Sequence, residues 1–221
     1  MKLFFEAIMK YLFGIILVGA LIFIPAGTIN YFNGILFMSI LFIPMFIAGI
    51  VMLCTNQELL KNRLNAKEKE KDQKEVIAIS AIMFILGFVI AGLNYRYAWI
   101  KLPQMVSYIS AIIFLISYAL YAEVLRENTF LLRTIEVKDG QRVVDTGMYG
   151  IVRHPMYLVT IILFLSMPLV LGSVISFLIF LIYPFIIIKR IKNEEKVLEK
   201  DLSGYKEYMK KVKYRLIPYI W

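Results

Sequence analysis

The side chains best suited to chemistry cluster in Arg153-His154-Pro155-Met156-Tyr157, a few residues after Gly147 and Tyr149. His154 is the only histidine of the chain. A residue before proline is biased away from helical geometry, and proline suits the first position of a helix. His154 is therefore expected at a helix cap, with free backbone N–H groups just beyond it. Arg153 beside such a terminus would make the spot attractive to an anion. On the residues alone two readings stay open: an anion-binding site, or an interfacial arginine next to a capping histidine. A second irregularity lies further on. Over residues 190–214 the positions Ile191, Leu198, Leu202, Tyr205, Met209 and Val212 recur in steps of three and four along one helical face. Glu195 occupies a step of that stripe where an apolar residue is expected. Local pairing with Arg190 or Lys192 would explain it, and so would a role in a site. One histidine and one cysteine, Cys54, argue against a zinc site and exclude an intrachain disulfide. No metal is expected, and there is no Gly-x-Gly-x-x-Gly fingerprint of a soluble nucleotide-binding fold.

The elements that must position these residues are membrane helices. The chain of 221 residues is 60% hydrophobic and 19% charged. Tyr11–Gln57, Val76–Tyr95, Leu102–Ala122 and Pro155–Ile188 contain no Lys, Arg, Asp or Glu. A spanning helix needs roughly 20 apolar residues, and these runs are too long and clean for a small soluble core. The first run continues past signal-peptide length and is read as retained. Pro25, Gly27, Asn30 and Asn33 divide it into a hairpin, about 8–26 and 34–54. Helices are expected over about 76–94 and 105–125, so residues 1–125 carry four spans. The mixed-charge stretch Glu58–Glu75 reads as a solvated loop or helix extension. Between 126 and 153 runs a long connection in which Thr134–Val137 and Arg142–Val144 flank a Lys138-Asp139-Gly140 turn.

The run Pro155–Ile188 would be about 51 Å as a single helix, too long for a bilayer core near 30 Å. Pro168, Gly172 and Ser173 at its midpoint favour a hairpin, either of two full spans or re-entering. Basic residues support this. With six spans and both termini cytoplasmic, all but Arg96 and Lys101 of the 25 Lys and Arg residues lie inside. The net charge of +9 then reflects loops near anionic lipid rather than nucleic acid. The expected fold is all-α and polytopic, with about six transmembrane helices and a cytoplasmic amphipathic tail helix. Oligomeric state is not specified.

The segment from Gln141 to Tyr157 and the tail block Glu194-Glu195, Gly204-Tyr205, Tyr208, Arg215 and Pro218 resemble the isoprenylcysteine carboxyl methyltransferase and phospholipid methyltransferase superfamily. Members typically carry Gly-Pro-Tyr, a short gap, then Arg-His-Pro-x-Tyr; here Met148 stands in place of the proline. The resemblance covers about residues 126–220 and makes residues 126–221 the cofactor-binding and catalytic region. It implies methyl transfer from S-adenosylmethionine at the cytoplasmic face. Carried over by position, Gln141, Arg142, Val143, Val144, Gly147 and Tyr149 would line the nucleoside pocket, continued by His154, Pro155, Met156 and Tyr157, with Glu194 and Glu195 holding the cofactor. Arg153 and His154 would suit the cofactor carboxylate and Glu195 its ammonium. Arg190 or Lys189, at the end of the last span, could orient an anionic acceptor.

The acceptor implied is a lipid or lipidated small molecule entering from the bilayer. A carboxylate is ionised at neutral pH and needs no general base, whereas an amine must first lose a proton. This favours carboxyl methylation, with phospholipid N-methylation as the alternative. A non-enzymatic membrane protein or transporter is the reading from another class. Few polar residues lie inside the spans and no internal duplication is visible.

Overall fold

The computed structural model describes residues 2–64, 71–131, 137 and 140–221, and among them the only regular structure is helical. Two helices form the first hairpin, α1 (Lys2–Ala26) and α2 (Phe32–Thr55). A short surface helix, α3 (Gln57–Leu64), follows, then the long helices α4 (Lys71–Tyr97) and α5 (Gln104–Glu127). After a connection and a single 3₁₀ turn at Gly147–Gly150 come α6 (Pro155–Val170), α7 (Val174–Phe180), α8 (Tyr183–Asp201) and α9 (Tyr205–Lys211). Much of the anticipated turn around Lys138 and Asp139 lies outside the described residues; Gln141–Asp145 is irregular.

Five helical stretches are long and apolar enough to cross a membrane: Leu3–Ala26, Phe32–Thr55, Lys74–Tyr97, Gln104–Glu127 and Val174–Asp201. The chain is thus an integral membrane protein with several transmembrane helices. The expected hairpin within 155–188 is present but unequal. Its first arm, α6, has 16 residues and is about 24 Å long, short for a full crossing. Its second arm is α7 followed by α8, interrupted at Leu181–Ile182 where Pro184 cannot donate a helical hydrogen bond.

The hairpin turn is built at Gly172, whose φ of +74° suits glycine, with Ser173 accepting the backbone N–H of Ser176 through its side chain. Its exposed carbonyls are taken up by neighbouring helices. The Tyr31 hydroxyl donates to Leu171 O, Ser107 Oγ to Leu169 O at 3.1 Å, and Asn94 Nδ2 to Gly172 O at 3.5 Å. These polar side chains near the membrane's far surface satisfy backbone groups that lipid could not.

Packing is aromatic. Phe84 meets Phe164 and Phe180 edge to face, at ring separations of 4.9 and 5.3 Å. Phe37, Phe88 and Phe114 extend this core. Phe180 fits because residue 87 is glycine; a Cβ there would lie 2.2 Å from the ring. In contrast, the outer faces of α1 and α2 expose Phe13, Ile16, Ile43 and Ile47, as lipid-facing helices should.

The tail differs from the single amphipathic helix expected over 190–214. The helix α8 runs unbroken out of the apolar segment to Asp201, then ends at Leu202–Gly204, where Gly204 adopts φ +83°. The chain turns back as α9. Of the stripe residues, Ile191, Glu195, Leu202, Tyr205 and Val212 are buried and Leu198 and Met209 partly so, although the helix is in two pieces.

Candidate functional site

Three segments converge at the end of the bundle where both termini lie. The N-terminus of α6 supplies Arg153, His154, Met156 and Tyr157. The outer half of α8 supplies Arg190, Glu194, Val197 and Leu198. The third is the reversed helix α9 with Tyr205 and Tyr208. Together with Gln141–Val144, Tyr149 and the end of α5 (Asn128, Phe130, Leu131), they line a cavity of about 820 Å³ including its mouth.

Residues adjacent on a helix point roughly 100° apart. Glu194, four residues after Arg190, therefore faces the cavity, while Glu195, four after Ile191, turns behind its wall. The two carboxylates have separate work. Glu194 accepts a hydrogen bond from the Tyr157 hydroxyl, which in turn accepts one from Arg190 Nε at 2.8 Å. The Arg190 guanidinium also sits 5.9 Å from the Tyr157 ring centre. An anion, a phenol and a cation are thereby lined up on one side of the cavity.

Glu195 is 2% exposed and fully engaged. Its Oε1 accepts from Arg153 Nε at 2.8 Å and lies 3.2 Å from His154 Nε2; its Oε2 accepts from Arg215 Nε at 2.7 Å. The local partners anticipated from sequence, Arg190 and Lys192, are not the ones it uses. Three hydrogen-bonding groups, two of them permanent cations, compensate its burial and hold it ionised. Arg153 also donates through Nη1 to Val212 O and Lys213 O, both at 2.8 Å. The backbone N–H groups of Arg153 and His154 donate to Tyr214 O and Arg215 O, each at 2.9 Å. The backbone N–H groups of Arg153 and His154 are thus taken up by the tail, and Arg153 faces protein on most of its donors. As expected, His154 occupies the cap position and Pro155 the first helical one.

Of the residues singled out from the sequence, Gln141, Arg142, Val143, Val144, Tyr149, Arg153, His154, Met156, Tyr157, Arg190 and Glu194 line the cavity. Gly147, Pro155 and Glu195 do not. Pro155 starts α6 from behind the surface. Gly147 is a structural contact: at φ +51°, a Cβ there would overlap the Glu127 carboxylate. Glu127 Oε2 accepts the Met148 backbone N–H at 3.1 Å, a bond that proline at 148 could not donate.

Tyr205 and Tyr208 had been read only as stripe and block residues. Their spacing of three on α9 turns both rings to one side. The Tyr208 hydroxyl donates to Tyr149 O at 2.7 Å, closing α9 over the 3₁₀ turn, and Lys211 pairs with Asp145 at 2.6 Å beside it. That lysine holds the Asp145 carboxyl below its ordinary range. The buried hydroxyl of Tyr205 has no hydrogen-bond partner among the described residues. Burial, then the charges of Glu195 and Glu194, push its phenol well above the ordinary value, so it keeps its proton at physiological pH. It is a donor at the cavity wall left unpaired among the described residues.

A polytopic helical membrane protein with a polar pocket built from the start of one span and the end of another is thus defined by geometry. Residues 108–200 match the model of the isoprenylcysteine carboxyl methyltransferase (ICMT) family, the resemblance expected from the motifs. Among curated proteins the chain is similar to the Delta(14)-sterol reductase TM7SF2 of Mus musculus, 33% identical over 93 residues, 41% of this chain and 22% of that protein. The chain therefore spans little more than a fifth of that relative's length.

Proposed function

We propose that this protein is an integral membrane methyltransferase that uses S-adenosylmethionine to methylate a lipophilic acceptor, with a carboxylate as the receiving group. The observation that carries the proposal is the cavity itself: residues of both blocks of the family motif, far apart in the chain, line one pocket. Its lining suits a zwitterionic nucleoside. Glu194 offers a carboxylate to an α-ammonium, and Arg190 with His154 a positive edge to a carboxylate. The donor Tyr205 and apolar Val143, Val144, Leu198 and Leu202 suit a ribose and a flat base. Glu194, rather than the fully engaged Glu195, is the proposed ammonium partner. When bound, the cofactor supplies a methyl group on a sulfonium, already activated for displacement.

The protein's part is to orient and to exclude water. Tyr157 fixes the relative position of Glu194 and Arg190 by bonding both. Arg190 is placed to steer an anionic acceptor, which needs no general base. An acceptor with a long apolar chain suits a pocket bounded by α6 and α8, both of which continue into apolar stretches. Methylation of a phospholipid amine remains the second methyl-transfer reading. A different reading follows from the mouse relative, a reductase by name: a pocket for a reduced nicotinamide nucleotide.

Calorimetric titration of detergent-purified protein with S-adenosylmethionine, and separately with reduced nicotinamide nucleotides, decides between these. Binding of the former, weakened about tenfold in Glu194→Gln, is expected for loss of a charged hydrogen-bond partner. Binding of the nicotinamide nucleotide alone would overturn the methyltransferase reading.

A further inference from the structure

Behind the pocket wall lies a segment to which the family motif gives no task beyond spacing. Residues Val212–Trp221 run across the start of α6 as a strap. They accept four hydrogen bonds from Arg153 and His154: two side-chain bonds at Val212 O and Lys213 O, and two backbone bonds at Tyr214 O and Arg215 O. Leu216 is buried in the main apolar core. The backbone N–H groups of Leu216 and Ile217 donate to Trp221 O at 2.9 and 3.1 Å, folding the strap into a closed turn. The Arg215 guanidinium lies over the Trp221 ring at 5.4 Å while its Nε holds Glu195 Oε2. Arg215 therefore ties the strap to the carboxylate that also holds Arg153 and His154, and these two reach the cavity. Arg215 touches no part of the cavity itself.

Resting on the methyltransferase reading, we infer that Arg215 is a positioning residue: through Glu195 it fixes the Arg153–His154 edge of the pocket, so cofactor affinity depends on the strap. The physical reason is the geometry of a carboxylate with two oxygens. Arg215 takes one, leaving Oε1 to face Arg153 and His154 together. Without Arg215 the carboxylate is free to rotate, and the two pocket residues lose their shared anchor. Arg215 is about a third exposed and reaches the buried Glu195 from a surface groove that also carries Lys189, Lys192, Lys196 and Glu199, so truncating its side chain would open a path from that groove to the carboxylate.

The test uses the full chain in detergent, comparing Arg215→Ala and Arg215→Lys with wild type. In the alanine variant the dissociation constant for S-adenosylmethionine is expected to rise about tenfold, at a temperature where the protein is fully folded by thermal melt. Arg215→Lys, which keeps a cation near Glu195, is expected to lose less. Millimolar ethylguanidinium should partly restore the alanine variant, because the ion can enter the groove and pair with Glu195; a merely structural contribution would not respond in this way. An affinity in Arg215→Ala within twofold of wild type would overturn the inference while leaving the methyltransferase reading intact. Failure of the wild type itself to bind would overturn both.

Discussion

Hydrogen-bond accounting separates residues that build this site from residues that await something. Glu195 has a partner on each oxygen, whereas Tyr205 presents a buried hydroxyl with none among the described residues. A buried unsatisfied donor costs about 1–3 kcal/mol, and a satisfied one contributes about 1 kcal/mol. Two phenylalanine substitutions three residues apart should therefore behave oppositely. Tyr208→Phe removes the bond to Tyr149 O and should lower the melting temperature in detergent. Tyr205→Phe removes only an orphan and should leave melting unchanged or raised, yet weaken S-adenosylmethionine binding. A loss of stability in Tyr205→Phe without any effect on binding would show that its hydroxyl serves the fold and not a ligand. Glu195 belongs with the fold: removing it would strand Arg153, 7% exposed, without its charge partner, a loss in the range of about 3–5 kcal/mol for broken buried pairs.

Among the helices, Gly92 permits close approach where lipid gives no hydrophobic push between spans and packing must supply the cohesion. At Gly92 a Cβ would stand 2.4 Å from Ile22 O and 3.1 Å from Ala26 N, both backbone atoms of α1. Backbone of a packed helix cannot move aside as a side chain can, so Gly92→Ala should push α1 from α4 and lower the melting temperature by several degrees. Gly49 on α2 has nothing within 4 Å, so Gly49→Ala should melt like wild type or higher, since alanine is the better helix former. Equal melting of the two variants would contradict the α1–α4 packing. The periodicity of α8 was legible from residues 190 onward. Its continuity with the span was not, because nothing in an amphipathic pattern marks where a helix leaves the bilayer.

Seen whole, the molecule has one charged end and one sparse one. The site, both termini and the charged helix α3 lie at the first; Arg96 and Lys101 are the described basic residues at the other. On the positive-inside tendency we propose that the site faces the cytoplasm. Cys54→Ser removes the single cysteine, after which Ile29→Cys and Ser203→Cys, both at exposed positions, report the two ends. A membrane-impermeant maleimide applied to intact cells should label Ile29→Cys and spare Ser203→Cys until the membrane is opened. The reverse pattern would place the pocket outside and remove its access to a cytoplasmic cofactor.

Membrane residence, an all-helical fold and the division of 155–188 into two arms could all be read along the chain, because bilayer thickness and backbone hydrogen bonding act on each segment separately. The motif residues from Gln141 to Tyr157 were likewise legible as a block, and most of them do line the cavity. What needed the folded molecule was which face of α8 meets that block. Neighbouring carboxylates at 194 and 195 are chemically alike, and only the packing of α8 against α6 turns one toward the cavity and the other toward Arg153, His154 and Arg215. The same holds for the strap, whose partners lie tens of residues away, and for Tyr205, whose hydroxyl is buried at the cavity wall only by the turn back into α9; no local pattern records a contact that forms only when distant segments are brought together.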